Sequence, residues 1–425
     1  MITGVTYIAG AIIDVSALSF LGVGVQPPSY DWGALLNAGI TEFYTVPTAT
    51  LGPAVMILIA GLVVALLAEA MARAMNPALW TADRTSTLFR VATRTLGVRD
   101  SSTLPPKGGA PLVARATSGP IATVSHLRVA LPGVTAPLFP VDDVSFTVAA
   151  GEIVGIVGES GCGKTMTALA LAQLVPYPGQ VSADSLAIDG QEVLGMSGHF
   201  LRAYLGTRVS MVFQNPMASL NPTMRVGPQL VDGARLHRRL THRDSDDMAR
   251  QVLKEVNIAT PDTIMRSFPF ELSGGMRQRV MIAMALMARP ALIIADEPTT
   301  ALDVTVQAQV LDVLRRINTD HGTAIILISH NLAVVSEICQ RVLVMYGGRV
   351  VEDLDSADLR ERPAHPYTRA LMQAVPSLDS DPDVPLAGIA GRPPILGEAG
   401  PGCSYSDRCP WAIERCRQER PELAK

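Results

Sequence analysis

Residues 158–165 read Gly-Glu-Ser-Gly-Cys-Gly-Lys-Thr and lie between an apolar segment at 152–157 and a helical run at 166–174. Closely spaced glycines allow backbone N–H groups to converge on phosphate oxygens, and the start of the following helix adds a favourable dipole. A lysine at this place bridges β- and γ-phosphates, and the next hydroxyl ligates Mg²⁺. The pattern predicts a phosphate-binding loop in an α/β domain. Its nucleotide-binding residues are Gly158, Ser160, Gly161, Gly163, Lys164 and Thr165.

Two adjacent carboxylates form a second motif, directly after the apolar segment 291–295. Asp296 suits Mg²⁺, directly or through water, and Glu297 suits polarising a water molecule for attack on the γ-phosphate. An acidic pair after a strand is a weak indication when taken alone. Downstream of a phosphate-binding loop, in a chain of α/β pattern, it predicts the catalytic half of the same site.

A third motif lies between these two, where residues 272–279 read Leu-Ser-Gly-Gly-Met-Arg-Gln-Arg and begin a helix. At this point the chain resembles the ATP-binding subunits of ABC transporters, whose signature motif this is. The remaining family motifs are present and in order: Gln214 after segment 208–213, Ala-Leu-Asp at 301–303, and His330 after segment 324–329. The ordered set distinguishes His330 and Gln214 from an ordinary strand-end histidine and loop glutamine.

The resemblance implies a role for each of these residues. Gln214 and His330 would contact the γ-phosphate and the attacking water or metal, so the Mg²⁺ ligands would be Thr165, Gln214 and Asp296. In that family the base-stacking aromatic belongs in segment 126–139, where Leu131 occupies the expected place. We therefore expect Phe139 to substitute.

The resemblance also implies a dimer. Ser273 and Gly275 would reach the nucleotide held by a second ATPase subunit, so hydrolysis needs a homodimer or a heterodimer with a related chain. The expected fold is an α/β P-loop ABC ATPase domain at 121–350, with a helical subdomain at 216–290 that contacts the permease subunits. Cys162 replaces the usual serine of the loop. It is either a small filler or a thiol that alkylating reagents reach only without nucleotide.

Further motifs narrow the resemblance to the oligopeptide/dipeptide (and nickel) importer ATPases. They are the segment 214–222, Met276, the Arg-Pro-Ala-His-Pro-Tyr run beginning at 362, and the cysteine-containing tail 401–416. The resemblance covers about residues 121–425, with 351–425 as the C-terminal extension. It implies an ATPase that powers peptide import, working with a permease pair and, indirectly, an extracytoplasmic binding protein.

The chain's mean hydropathy of +0.27 is high for a soluble protein, and the excess is concentrated near the N-terminus. Apolar runs at 5–25 and 51–71 precede an arginine-rich stretch that begins at Arg73. The second run, about 21 residues, would reach roughly 30 Å as a helix, enough to cross a bilayer. By the positive-inside rule, the following residues face the cytoplasm. We therefore predict two transmembrane helices within 1–80, a linker at 81–120 and a location at the cytoplasmic membrane; a buried hairpin of a soluble domain is the alternative.

Residues 17–33 and 51–77 also resemble the final part of a peptide-importer permease. Two helices cannot enclose a substrate path, so the fragment 1–80 either joins other permease subunits or is a gene-fusion remnant; we favour the remnant. An intact ATPase that no longer couples to transport is therefore an alternative function, and import of nickel or another small solute is a second one.

Three of the five cysteines crowd the tail, as Cys403, Cys409 and Cys416. In a cytosolic domain such spacing favours metal or an iron–sulfur cluster over disulfides. In the resembling importers this region is linked to a cluster site, usually with a further downstream cysteine. A [4Fe–4S] cluster here would need Cys339, a non-cysteine ligand or an exposed iron; three reduced structural thiols are the alternative.

Composition excludes several other classes of protein. With 48% hydrophobic residues the chain is neither disordered nor fibrous, and five cysteines do not make a secreted disulfide framework. A net charge of −4 gives no reason to expect a nucleic-acid partner. An ABC ATPase of DNA repair or translation predicts tandem cassettes or a coiled coil, and the sequence contains neither.

Overall fold

The computed structural model describes residues 18–20, 31–41, 46, 50–60, 63, 119–133, 136–238, 240–300, 302–375, 388–394 and 400–423. The chain divides into two compact units, Met1–Ala110 and Pro111–Lys425.

The described part of the first unit is largely helical. Helix α1 spans Trp32–Thr41, and residues 50–60 are also helical. The Asp31 carboxylate accepts the Ala34 N–H at 2.8 Å at the start of α1. No helix within the described residues combines the length and the apolar character that a membrane crossing needs. Several predicted segments lie wholly or largely outside the described residues: all of span 5–25 except 18–20, residues 61–62 and 64–71 of span 51–71, and most of the linker. The two spans and the linker therefore stay predictions.

The second unit is built on two β-sheets and a set of helices. Its strands are β1 Ala122–Leu131, β2 Leu138–Val148, β3 Ile153–Val157, β4 Gln180–Ser182, β5 Ser185–Ile188, β6 Gln191–Glu192, β7 Val209–Val212, β8 Leu292–Asp296, β9 Ala324–Ile328, β10 Arg341–Tyr346 and β11 Arg349–Asp355. Its helices are α2 Lys164–Leu171, α3 Gly198–Arg208, α4 Pro216–Ser219, α5 Val226–Arg238, α6 His242–Glu255, α7 Pro261–Arg266, α8 Gly274–Leu286, α9 Val304–His321, α10 Leu332–Ile338, α11 Asp358–Glu361, α12 Pro366–Gln373 and α13 Glu414–Gln418. Short 3₁₀ helices lie at Pro269–Glu271 and Ser406–Arg408.

The six-stranded sheet has the order β11-β10-β3-β9-β8-β7. Only the β10–β11 pair is antiparallel, and the pairs that join β10, β3, β9, β8 and β7 are parallel. Every residue of β3, β8 and β9 is buried, as expected for parallel strands covered on both faces. Since β3, β9 and β8 are neighbours, their carboxyl ends meet at one edge of the sheet. The predicted phosphate loop, the acidic pair and His330 all follow these ends.

The smaller sheet is antiparallel and 5-stranded, with the order β2-β1-β5-β6 and β4 also paired to β1. Its apolar side chains share one core with the face of the large sheet formed by Val154, Ile156 and Ile326. The opposite face of the large sheet packs on α8, α9 and α10. Strand β2 thereby runs close to the loop that follows β3: a Cβ added at Gly163 would lie 2.3 Å from the Pro140 carbonyl oxygen.

Helices α5, α6, α7 and α8 pack against one another between β7 and β8 in the chain, within the predicted helical subdomain 216–290. Helix α2 ends at Leu171, earlier than the predicted run 166–174, because Gln173 adopts a left-handed conformation with φ 55°. The predicted domain boundaries at 121–350 and 351–425 stay predictions. Tyr367 and Tyr405 of the last segment belong to the same core as β3 and β8.

Gly155 in β3 gives a test of core packing. A Cβ at this position would lie 2.4 Å from Val335 Cγ1 and 3.1 Å from Cys339 Sγ. We expect Gly155→Ala to lower the stability of the second unit by about 1–3 kcal/mol through overpacking, measured as a lower melting temperature. The matched control is Gly233→Ala at an exposed position of helix α5, where a Cβ meets nothing within 4 Å and should stabilise by up to ~1 kcal/mol. Equal stability of Gly155→Ala and wild type would contradict the packing described for β3.

Candidate nucleotide-binding site

The loop after β3 depends on glycine at three positions. Gly158, Gly161 and Gly163 have φ angles of 149°, 82° and 105°, which side chains other than glycine rarely adopt. A Cβ at Gly158 would also lie 2.2 Å from the Met345 carbonyl oxygen. The glycines therefore serve both the loop's curvature and its close contact with the ends of neighbouring strands. The resulting backbone cradle before α2 has the form expected for binding phosphate oxygens.

Lys164 lies at the centre of this cradle, with only 6% of its surface exposed. Its Nζ donates to the carbonyl oxygens of Gly158 at 2.8 Å and Glu159 at 2.9 Å. No carboxylate hydrogen-bonds to this ammonium group among the contacts of the described residues, so its charge is available to an anionic ligand. The predicted role of Lys164 at the β- and γ-phosphates fits this position.

Thr165 and Asp296 come together from opposite sides of the site. The Thr165 hydroxyl donates to Asp296 Oδ1 at 3.3 Å, which joins the start of α2 to the end of β8. Burial raises the pKa of Asp296, and the Thr165 hydrogen bond opposes that rise. A hydroxyl and a carboxylate oxygen are hard ligands of the kind that Mg²⁺ prefers. The pair therefore fits the predicted metal position.

Glu297 is the point where three of the predicted motifs meet. Gln214 Nε2 donates to its carboxylate at 2.8 Å, the Thr300 hydroxyl donates at 2.9 Å, and His330 Nδ1 lies 3.2 Å from Oε1. Burial alone would raise the pKa of Glu297, but the Thr300 and His330 hydrogen bonds and the charges of His330 and Lys164 outweigh it and lower that pKa. The carboxylate is thus held ionised, as a base requires.

The signature motif occupies a separate and exposed place. Ser273 caps α8 by accepting the Met276 N–H at 3.3 Å, and Ser273 and Gly274 are exposed. A Cβ at Gly275 would lie 2.5 Å from Val306 Cγ1, so this glycine is required where α8 packs on α9. Asp303 caps α9, while Ala301 of the same motif lies outside the described residues. An exposed helix start of this kind is accessible to a partner molecule.

Phe139, the predicted base-stacking residue, lies on β2 beside the loop. Its neighbour Pro140 contacts Gly163, and its ring is 36% exposed with the Arg128 guanidinium carbon 5.3 Å from the ring centroid. Leu131 pairs with Leu138 at the ends of β1 and β2. The stacking role of Phe139 stays a prediction.

The described residues do not support the metal site predicted at the tail cysteines. Within the described ranges, no group of three or more His, Cys, Asp or Glu side chains is arranged to hold a metal ion. The Cys403 N–H donates to the Cys416 carbonyl at 2.8 Å, and burial raises the pKa of the Cys403 thiol. Cys339, the suggested fourth ligand, is buried against Gly155, and burial raises its pKa to about 12. The [4Fe–4S] cluster on Cys403, Cys409 and Cys416 is therefore unsupported.

Comparison with known proteins places the chain in a family. The profile described as "ABC transporter" matches residues 141–300, and the one described as "Oligopeptide/dipeptide transporter, C-terminal region" matches residues 351–416. The oligopeptide transport ATP-binding protein OppD of Escherichia coli is 45% identical over 298 residues, covering 70% of this chain and 88% of that protein. The chain belongs to the ABC transporter ATP-binding proteins of the oligopeptide/dipeptide group.

A second relative agrees with this assignment. The dipeptide transport ATP-binding protein DppD of Escherichia coli is 43% identical over 300 residues, covering 71% of this chain and 91% of that protein. Among solved structures, dimeric MJ0796, a bacterial ABC transporter cassette, is 24% identical with a TM-score of 0.49, covering 55% of this chain and 98% of that one. The predicted family is confirmed, and the chain is an ABC-type ATPase; the permease-like nature of 1–80 is not part of these matches.

Several contacts of this ABC ATPase involve residues that the sequence did not single out. Thr300 was missed, although its spacing of three residues from Glu297 is a usable signal. Tyr367 and Arg408 were quoted only as parts of family motifs, yet both contact Glu159 of the loop. They lie 208 and 249 residues away from Glu159 in the chain, so no local pattern could have linked them.

The surroundings of Cys162 distinguish the two interpretations left open by the sequence, a small filler or a thiol that alkylating reagents reach only without nucleotide. Its side chain is 5% exposed, and burial raises the pKa of its thiol despite Lys164 Nζ at 3.7 Å. These facts favour the filler interpretation. We expect slow alkylation of Cys162 at neutral pH, equal with and without ATP, and faster alkylation of the partly exposed Cys409 and Cys416, measured by peptide mass spectrometry. Rapid labelling of Cys162 that ATP suppresses would contradict this expectation, and Cys162→Ser provides the blank.

Proposed function

We propose that this chain is the ATP-hydrolysing subunit of an ABC importer that takes up di- or oligopeptides across the cytoplasmic membrane. The observation that carries the proposal is one carboxylate, Glu297, held by Gln214, Thr300 and His330 beside the Asp296–Thr165 pair. Peptide as the transported class is supported by the named functions of OppD and DppD and by the match of the C-terminal region.

Different residues of the chain have different roles in hydrolysis. Bound ATP would supply the phosphoanhydride bond, and bound Mg²⁺ would neutralise charge that develops on it. Lys164 and the N–H groups of the loop would hold the phosphates, while Thr165, Asp296 and Gln214 would hold the metal. The cradle and hard oxygen donors fit these groups.

Glu297 orients and polarises the attacking water. His330 lies at the other oxygen of that carboxylate and would contact the γ-phosphate. Three polar neighbours restrict Glu297 to one position, which favours reaction because a misplaced base loses much of its effect. Removing one of them should therefore affect turnover more than ATP binding.

A second ATPase subunit completes the proposed site. The exposed start of α8, with Ser273 and Gly275, supplies an anion-binding helix terminus to the nucleotide held by the partner, in a homodimer or a heterodimer. The helical segment 216–290 contacts permease subunits, and the ATPase faces the cytoplasm. An extracytoplasmic binding protein delivers the peptide. We further propose that 1–80 contains two membrane-crossing helices left from a fused permease.

Glu297→Gln tests the catalytic assignment in the purified protein. We expect steady-state ATP hydrolysis to fall by about 100-fold or more, because an amide cannot act as the base, while ATP binding remains. Glu337→Gln is the matched control, since its carboxylate forms only an exposed pair with Arg315 at 3.2 Å. Hydrolysis by Glu297→Gln at the wild-type rate would refute the role given to this residue.

Uptake by cells tests both the substrate class and the N-terminal unit. In a strain lacking the chromosomal copy, the full chain should restore uptake of a labelled peptide, and a chain without residues 1–100 should restore it equally. Glu297→Gln should restore none. Restored nickel uptake without peptide uptake would favour the alternative cargo, and no change in either would favour an ATPase uncoupled from transport. Loss of uptake on deletion of 1–100 would show that the fragment is required.

A further inference from the structure

The C-terminal region reaches back to the phosphate loop through Arg408. Its guanidinium group forms two parallel bonds with the Glu159 carboxylate, from Nη1 to Oε2 at 2.6 Å and from Nη2 to Oε1 at 3.1 Å. Glu159 is the second residue of the loop, directly after Gly158. A two-bond pair of this kind fixes both the position and the direction of the carboxylate.

Arg408 is itself held so firmly that it can act as an anchor. Only 5% of its side chain is exposed. Besides Glu159, it donates to the Tyr346 hydroxyl at 3.1 Å and to the carbonyl oxygens of Ile389 at 3.1 Å and Ala390 at 2.7 Å. These contacts satisfy all five N–H donors of the guanidinium group. Its carbon also lies 5.8 and 5.9 Å from the ring centroids of Tyr346 and Tyr405.

A second contact from the same region holds the backbone of Glu159. The Glu159 N–H donates to the Tyr367 hydroxyl at 2.8 Å. Tyr367 is fully buried, and its ring packs on Tyr346 and Tyr405 with centroid distances of 4.5 and 5.4 Å. Both the main chain and the side chain of this loop residue are therefore fixed by residues from beyond position 350.

The Glu159 carboxylate places a negative charge in the loop that is expected to bind phosphate. ATP carries several negative charges, and an unpaired Glu159 would repel them across the short loop, in a half-buried place where screening is weak. Arg408 supplies the compensating positive charge. Because its donors are all occupied and its side chain is buried, it cannot turn toward the nucleotide and acts only through Glu159.

We infer that Arg408 is a positioning residue for ATP binding: it neutralises and immobilises Glu159, so that the C-terminal region sets the affinity of the phosphate loop. This inference rests on the proposed function, since it takes residues 158–165 as the loop that holds the phosphates. It gives the extension at 351–425 a direct part in the nucleotide site.

The test measures equilibrium binding of a fluorescent ATP analogue and steady-state hydrolysis. We expect Arg408→Met to weaken ATP binding by about 10-fold or more and to raise KM accordingly, with kcat changed by no more than about twofold. Adding Glu159→Gln to Arg408→Met should restore most of the lost affinity, because the uncompensated charge is then gone. A purely structural loss would not be rescued in this way.

Arg420→Met is the matched control. It removes the same type of side chain from the same region, where Arg420 pairs with Asp143 at 2.8 Å on β2 rather than with the loop. Its ATP affinity should equal that of wild type. If Arg408→Met does not fold, as judged by its melting curve, Arg408→Lys carries the test. Lysine keeps the charge without the two parallel bonds, so affinity should fall less and again recover with Glu159→Gln.

Lys164→Ala separates failure of the inference from failure of the proposed function. If Lys164→Ala binds ATP as wild type does, residues 158–165 are not the phosphate loop and the proposed site is wrong. If Lys164→Ala loses binding while Arg408→Met matches Arg420→Met, the site stands and the role of Arg408 is overturned. Failure of Glu159→Gln to rescue the Arg408 variants would also overturn it.

Discussion

The parallel pairing of β3, β9 and β8 is the constraint on which the site depends. Each strand is wholly buried, and each ends at the same edge of the sheet. The acidic pair after β8 therefore lies within hydrogen-bond distance of Thr165 on one side and of His330 on the other. Burial of both faces makes a register shift costly, because it would displace every core side chain at once. Hydrophobic packing of these strands, rather than the polar contacts, therefore keeps the site residues in place.

The two adjacent carboxylates at the end of β8 have different polar neighbours. Asp296 is buried and held by Thr165, whereas Glu297 is held ionised by Gln214, Thr300 and His330, so two adjacent carboxylates have opposite pKa shifts. Two titratable groups whose surroundings shift their pKa values in opposite directions can take different roles in one reaction. The pair fits a metal ligand and a base.

The C-terminal region also contributes contacts that hold the phosphate loop. Glu159 is bound through its N–H by Tyr367 and through its carboxylate by Arg408. Tyr367 packs with Tyr346 and Tyr405 in one cluster of tyrosines, and Arg408 lies over the other two rings. That cluster is part of the core that includes β3. The extension is therefore integral to the folded nucleotide unit, although its sequence match is separate from that of the ATPase.

The sequence by itself determined the family and the α/β class and predicted the residues of the nucleotide site, because a loop of glycines, an acidic strand end and a signature helix are local patterns with narrow chemical uses. The structure brings Gln214 and His330 into contact with Glu297. The iron–sulfur hypothesis is not supported by the described residues, and spacing could not report that Cys339, the suggested fourth ligand, is buried. Only the tertiary structure decided that Arg408 meets Glu159: the two are 249 residues apart, and a contact of that kind is fixed by how the chain packs, not by any periodicity within it.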